Sequence, residues 1–147
     1  MDVDAIMEKI KQGDIGYVKN FIRSHPDSIN ETFLWGRTPL MCASENGKTS
    51  IMKLFFEADV DVNMRDNFCE TALHFAVFGK QPEAVTTLLK EATIQVNPQA
   101  DNGQTPLHWA CSNGNTDIVC LLLNHIGINP NVVDKNGDTP LHWAVRE

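Results

Sequence analysis

Three histidines recur at equivalent places and raise the question of a catalytic or metal-binding site. His74, His108 and His142 each stand three residues after a threonine and are spaced 34 residues apart. Imidazole is a common zinc ligand, but the ligand atoms must gather within about 2.0–2.3 Å of one ion. Equivalent residues on neighbouring packed helices are separated by about 8–10 Å. The spacing therefore favours a repeated structural role over a shared metal site.

The remaining reactive residue types form no recognisable catalytic motif. The chain has four cysteines, Cys42, Cys69, Cys111 and Cys120. They show no CxxC spacing, and three of the four fall in predicted helices. We interpret them as reduced thiols, mostly in the core of a cytosolic or nuclear protein. The chain contains no G-x-S-x-G, P-loop or G-x-G-x-x-G sequence,. We predict that the protein is not an enzyme and uses no cofactor or metal.

The charge balance limits the classes of partner. The formal net charge is −7, and lysine and arginine are scattered along the chain. Nucleic acids and anionic membranes both require a basic patch, so we expect neither as a partner. Asp2 and Asp4 stand where a signal peptide needs basic residues, and no long apolar segment follows,. These features predict a cytoplasmic or nuclear protein without membrane insertion, and we expect a monomer.

One phrase recurs four times along the chain. Its copies start 33, 34 and 34 residues apart, at Thr38, Thr71, Thr105 and Thr139. A fixed period of this length indicates stacked supersecondary units. Threonine is a helix cap and proline is favoured at the first helical position, so each copy predicts a helix start. Gly47 and Gly114, nine residues after their threonines, predict its end,. Apolar residues at helical spacing then predict a second helix.

The phrase Thr-Pro-Leu-His-x-Ala at this period resembles the ankyrin repeat. The resemblance implies an all-α solenoid of stacked helix-turn-helix pairs with β-hairpin fingers. It divides the single array 1–147 into an N-terminal capping repeat at 1–33, three repeats at 34–66, 67–100 and 101–134, and a partial repeat at 135–147. The last unit contains only a first helix, so we expect the chain to be part of a longer protein. In the capping repeat, Asp4 takes the threonine position and Gly13 the glycine position.

Several residues depart from the family pattern. Met41 replaces the histidine of the first copy, and Ala72 replaces the proline of the second. Cys69 and Lys80 stand where glycine is expected, before and after the first helix of the third unit. We therefore predict a strained finger turn at Cys69 and the least regular geometry in this unit.

The resemblance also assigns structural roles to the repeated polar residues. It implies that each histidine hydrogen-bonds to its threonine and ties neighbouring loops together. The structural set is Thr38, Thr71, His74, Thr105, His108, Thr139 and His142. In the same way it implies hydrogen bonds within the loops for Asn63, Asn97 and Asn131, and their hydroxylation is an alternative.

A protein partner on the concave face is the function that the resemblance implies. The contact positions lie four, three and one residues before the threonine, and seven and eight after it. The predicted partner-binding residues are Leu34, Trp35, Arg37, Glu45, Asn67, Phe68, Glu70 and Phe78. Large apolar residues on an exposed face indicate an interaction site, whereas the equivalent positions in the last two units are polar. In the alternative interpretation, Trp35 and Phe68 pack under neighbouring fingers. Phe75, Trp109, Trp143, Val77 and Cys111 are assigned to the core.

Three functional hypotheses remain open. The first is a scaffold or adaptor module that binds a protein on this face. The second is a regulatory segment of a larger enzyme or channel, and the third is a structural spacer. Because many unrelated functions share one fold, the family does not choose among them.

Overall fold

The computed structural model describes residues 3–146, so residues 1, 2 and 147 of the predicted first and last units, with Asp2 among them, lie outside the described range. Within that range the regular elements are α-helices and two 3₁₀ turns, at Pro26–Ser28 and Leu34–Gly36. The helices are α1 (Val3–Gln12), α2 (Ile15–Ser24), α3 (Pro39–Glu45), α4 (Thr49–Glu57), α5 (Ala72–Phe78), α6 (Pro82–Leu89), α7 (Pro106–Ser112), α8 (Thr116–Leu123) and α9 (Pro140–Arg146). None of the helices described is both long and apolar enough to cross a membrane.

The helices begin and end where the local sequence predicts. The Thr38 hydroxyl accepts the Met41 N–H at 3.2 Å, which satisfies one of the free donors at the start of α3,. Proline is the first residue of α3, α7 and α9, where a missing N–H costs no hydrogen bond,. Gly47 and Gly114 follow α3 and α7 in the left-handed conformation, with φ of 67° and 64°,.

The helices pack in two layers. Helices α1, α3, α5, α7 and α9 contact one another in that order, and α2, α4, α6 and α8 form the second layer. The core between the layers includes the fully buried Phe55, Leu73, Leu88 and Ile118. Each such side chain contributes about 1.5–3 kcal/mol through apolar burial. The stacked pairs agree with the repeat solenoid expected, and the residue bounds of the five units remain our proposal.

Four short fingers connect the units, at residues 33–37, 66–70, 100–104 and 134–138. A backbone hydrogen bond closes each one; in the second finger the Asp66 N–H donates to the Glu70 carbonyl at 2.9 Å. The fingers also bond to each other, since the Asn67 N–H donates to the Trp35 carbonyl at 2.9 Å. The β-hairpin strands that we expected are not confirmed, because residues 3–146 contain no assigned strand. Five residues form a closed turn but leave little length for a ladder.

Left-handed backbone occurs at several residues that are not glycine. Cys69 has φ of 59°, at the position where the other fingers have Gly36, Gly103 and Gly137. Lys80, after α5, has φ of 55°. Both lie in the unit for which the sequence predicts irregular geometry. Trp35 is a third case, with φ of 66° at the tip of the first finger. A left-handed conformation costs a residue other than glycine about 1–2 kcal/mol.

The residues assigned to the core from the sequence are buried to different degrees, and Trp109 and Cys111 pack against the core as partly buried side chains. Phe75 and Val77 are buried as expected, but Trp109, Trp143 and Cys111 are only half-buried. Trp109 contacts the rings of His74 and Phe78 in the preceding unit, and these rings cover part of its side chain.

Candidate partner-binding surface

His74 joins two successive fingers. Its Nδ1 accepts the Thr71 N–H at 3.2 Å, and its Nε2 lies 3.0 Å from the Gln104 carbonyl oxygen of the next finger. Because a carbonyl only accepts, the proton is assigned to Nε2 and the ring is neutral. Burial lowers the pKa of His74 to about 4, with the Gln104 bond acting in the opposite direction. At neutral pH His74 is therefore uncharged and hydrogen-bonded through both ring nitrogens.

The other copies repeat this arrangement in part. His108 accepts the Thr105 N–H at 3.0 Å and reaches the Asp138 carbonyl at 2.9 Å. His142 accepts the Thr139 N–H at 2.9 Å. In the first copy, the Met41 sulfur accepts the Thr38 N–H at 3.4 Å. Both nitrogens of His74 and His108 are engaged, so metal binding would have to break these bonds. Within residues 3–146, no three metal-ligating side chains are grouped closely enough to hold an ion.

The cysteines differ from the expectation of core thiols. Cys42 alone is buried, Cys69 and Cys111 are half-buried, and Cys120 is exposed on α8. Burial raises the pKa of Cys42 to about 11 and also raises the pKa of Cys111. A hydrogen bond to Asp101, followed by burial, raises the pKa of Cys69. Nucleophilic cysteines require a lowered pKa, so these three environments oppose thiolate chemistry.

Asn63 and Asn97 connect the loops at the opposite end of the helices. The Asn63 amide donates to the Thr93 carbonyl at 2.8 Å, and its Oδ1 accepts the Gln95 N–H at 2.8 Å. Asn97 makes the same two bonds one unit later, to Gly127 and Asn129.

The four large apolar residues predicted for partner binding are exposed. Leu34 is 75% exposed, Phe78 58%, Trp35 56% and Phe68 46%. The Trp35 and Phe68 rings contact each other across the first two finger tips, with centroids 6.0 Å apart and planes at 38°. The rings are therefore neighbours, yet neither is buried under a finger. We call Leu34, Trp35, Phe68 and Phe78 the apolar set.

Phe78 lies on α5 rather than on a finger. Its ring makes an edge contact with Trp109 of α7, at 6.3 Å between centroids. Trp109 was assigned to the core, so sequence reasoning missed its exposed part. The signal available was its position, four residues after Thr105, one helical turn before the predicted contact positions.

Arg37 and Glu45 form an ion pair beside the apolar set. The Arg37 guanidinium lies 3.7 Å from the Glu45 carboxylate and stacks over the Phe75 ring, 4.5 Å from its centroid. The predicted polar residue Asn67 is exposed at the second finger tip and donates its backbone N–H to Trp35. The first finger, α1 and α3 enclose a groove of about 640 Å³, lined by Asp4, Met7, Lys11, Phe33, Leu34, Trp35, Arg37, Cys42, Glu45 and Asn46.

Glu70 lies next to a second carboxylate that the sequence analysis did not select. Asp66 Oδ1 accepts the N–H groups of Phe68 and Glu70, each at 2.9 Å. Burial, together with the charge and side chain of Asp66, raises the pKa of Glu70 to about 7. An aspartate five residues before the threonine occurs both here and at Asp134, and this recurrence was the available signal.

A family comparison agrees with the architecture described above. The family model described as "Ankyrin repeats (3 copies)" matches residues 6–100 and 92–147. The chain belongs to the ankyrin-repeat family. Ankyrin repeats are in general protein-interaction modules, and a protein partner is the corresponding expectation for this array.

Three curated relatives share part of the array. Inversin from Gallus gallus is 34% identical over 68 residues, which is 45% of this chain and 6% of that protein. Inversin from Homo sapiens and from Canis lupus familiaris are each 38% identical over 61 residues, 40% of this chain and 6% of those proteins. This ankyrin array therefore spans a small fraction of the length of the relatives it matches.

Proposed function

We propose that this ankyrin array is a scaffold or adaptor module that binds a protein partner on its concave face. The contacts are supplied by the apolar set, with Arg37, Glu45, Asn67 and Glu70 as a polar rim. The observation that carries the proposal is the contact between two exposed rings, Trp35 and Phe68, at adjacent finger tips. Exposed aromatic side chains on a rigid surface are typical anchors of protein interfaces.

The backbone of the first finger also supports the proposal. Trp35 has a left-handed backbone with φ of 66°, although its neighbour Gly36 already provides the left-handed glycine that the other turns use. Strain of this kind is often retained at functional positions, because the residue is kept for its side chain. A structural spacer would gain nothing from a strained tryptophan at an exposed finger tip. We further propose a monomer in the cytoplasm or nucleus. The negative charge balance supports the absence of nucleic acid as a partner,.

The test compares two double variants. Trp35→Ala with Phe68→Ala removes the ring pair, and Asn102→Ala with Asn136→Ala changes the equivalent positions of the polar fingers. Proteins captured from cells by the wild type are identified, purified and titrated against all three forms by calorimetry. We expect the ring variant to lose affinity by at least about 30-fold, since an anchor contributes about 2 kcal/mol or more.

The control variant should keep wild-type affinity, and both variants should keep the wild-type helical circular dichroism. Equal affinity of the ring variant and the control for the identified partner would contradict the proposed site.

A further inference from the structure

The fourth finger shows how a pair of carboxylates is completed in this fold. Asp134 Oδ1 accepts the N–H groups of Asn136 and Asp138 at 2.9 and 3.0 Å, and its Oδ2 accepts the Trp143 indole N–H at 2.9 Å. Asp138 accepts two hydrogen bonds from the Arg146 guanidinium, at 2.8 and 3.1 Å. The guanidinium also lies over the Trp143 ring, 5.6 Å from its centroid. Both carboxylates thus have side-chain donors.

The second finger has an equivalent pair of carboxylates, Asp66 and Glu70, but it lacks the indole N–H donor. Asp66 corresponds to Asp134 and binds the backbone of its own finger in the same way. Phe75 occupies the position of Trp143, and a phenyl ring has no N–H to donate. Asp66 is 6% exposed, and within the described residues its Oδ2 has no hydrogen-bond partner. A buried carboxylate oxygen without a donor is costly, and the side-chain hydrogen bond between Asp66 and Glu70 can form only when one of the two carboxyl groups holds a proton,.

The second donor is absent as well. Glu70 corresponds to Asp138, and Phe78 occupies the position of Arg146. In the described chain no ion pair reaches Glu70. The molecule therefore contains one copy of the carboxylate pair with its guanidinium and one copy without it.

We propose that the protein partner supplies this guanidinium, as an arginine side chain that binds Glu70, with the Asp66 and Glu70 carboxyl pair as its receptor. The inference rests on the proposed function and names the chemistry of the partner: a segment with an exposed arginine. The arginine is bound in the second finger as Arg146 is bound in the fourth, through a carboxylate on one side. The exposed Phe68 ring of the same finger offers an aromatic face, which favours a planar cation,.

The charges around Glu70 are consistent with a cationic ligand. The charged groups that act most strongly on Glu70 are Asp66, Arg37 and Asp101. Arg37 forms an ion pair with Glu45 and stacks over the Phe75 ring, while its Nε has no hydrogen-bond partner within the described residues. Two carboxylates and one engaged cation leave an excess of negative charge at Glu70. This excess of negative charge favours a proton on Glu70 when no cation is bound. Burial of Glu70, together with the neighbouring Asp66, raises the pKa of Glu70 to about 7.

Binding is consequently linked to a proton. A guanidinium binds the ionised Glu70, so a proton held by the free carboxyl is released to the buffer. The ionised fraction of a group with this pKa is about tenfold larger at pH 8 than at pH 6. Affinity for a guanidinium should follow that fraction and be about tenfold weaker at pH 6,.

The first experiment uses a small probe. N-acetyl-arginine N-methylamide is titrated into the isotope-labelled protein and followed by NMR, with the citrulline analogue as a neutral control of the same shape. We expect millimolar binding of the arginine probe, with shifts at Glu70, Phe68 and the Trp35 indole, weaker at pH 6 than at pH 8. Equal shifts from both probes, or no shift in the millimolar range, overturn the proposal.

Variants then separate charge from shape. Glu70→Gln keeps the size of the side chain and should abolish the shifts from the arginine probe. Phe78→Arg places a guanidinium where Arg146 stands in the fourth finger, so it should fill the site and also abolish binding. Phe78→Gln removes the ring without adding charge and should still bind the probe. Retained binding in Glu70→Gln, or equal loss in both Phe78 variants, overturns the proposal.

The two proposals fail in different ways. The partner identified with the Trp35 and Phe68 variants is titrated against Glu70→Gln at pH 8. Unchanged affinity of Glu70→Gln, together with loss in the ring variant, refutes the arginine receptor and leaves the interaction surface intact. Unchanged affinity in the ring variant refutes the surface itself.

Discussion

Replacing Cys69 by glycine should stabilise the array. Cys69 is left-handed at φ of 59°, in the position where the other three fingers have glycine at 76°, 81° and 80°. A side chain in this conformation costs about 1–2 kcal/mol. Glycine also gives the unfolded chain more conformational freedom, which lowers the stability of the fold by about 0.4–1 kcal/mol and opposes this gain. The net gain expected for Cys69→Gly over Cys69→Ala is about 0.5–1 kcal/mol.

The alanine variant is the matched control, because it removes the thiol and keeps the left-handed residue. Thermal unfolding followed by circular dichroism should place the glycine variant about 1–4 °C above the alanine variant for a chain of this size. Replacing a finger glycine by alanine tests the same conformational cost in the opposite direction. A Cβ added at Gly137 meets nothing within 4 Å, so Gly137→Ala should lose about as much as Cys69→Gly gains. A Cβ at Gly103 meets the Lys135 nitrogen at 2.8 Å, so Gly103→Ala should lose more.

Two results would refute this reasoning. Equal melting temperatures for the two Cys69 variants would mean that the finger accommodates a left-handed side chain without cost. A Gly137→Ala variant as damaging as Gly103→Ala would mean that the backbone conformation, and not the contact with the next finger, sets the penalty at both positions.

Two further predictions concern the hydrogen bonds that join the units. The pKa of His74 is about 4 in the fold and about 6.5 in the unfolded chain, so the unfolded chain binds the proton first as pH falls,. The contribution of His74 to stability is complete above about pH 6.5 and is lost towards pH 4, and about 2 kcal/mol should be gone by pH 5. His74→Met, the residue used at Met41, should flatten this part of a urea-unfolding profile measured against pH, and an unchanged slope would contradict the assignment. Asn63→Ala removes two hydrogen bonds between loops and should lower the free energy of unfolding in urea by about 1–3 kcal/mol. Asn131→Ala is the control, because the Asn131 amide bridges no described loop, and its unfolding free energy should change little. Similar losses of stability in both variants would count against the bridging role of Asn63.

The repeat architecture was predictable because its signals are local. A threonine cap, the proline after it and the histidine at the third position lie within one helical turn, so their bonds form in any unit with that phrase,. The exposure of Leu34, Trp35, Phe68 and Phe78 was predictable for a related reason. A fixed period assigns every copy the same set of outward positions, and the residues filling them can be read directly,.

Other features depended on contacts between units. The half-buried state of Trp109 is set by the neighbouring helix that carries Phe78. No strand is found within residues 3–146 because few backbone hydrogen bonds join one finger to the next. Neither the burial of Trp109 nor the hydrogen bonding between fingers can be read from the sequence of a single repeat.

The sequence by itself determined the stacked helices, their boundaries and the outward residues, because these depend on bonds within a few residues and on a constant period. Only the tertiary structure revealed the unsatisfied carboxylate of Asp66 and its proximity to Glu70. The backbone bonds of the finger hold those two residues together. Phe75 and Phe78 stand where the fourth finger has Trp143 and Arg146, so the side-chain N–H donors of that finger have no counterpart here. Whether a buried charge is satisfied depends on every group packed around it, and that information exists only in the folded array.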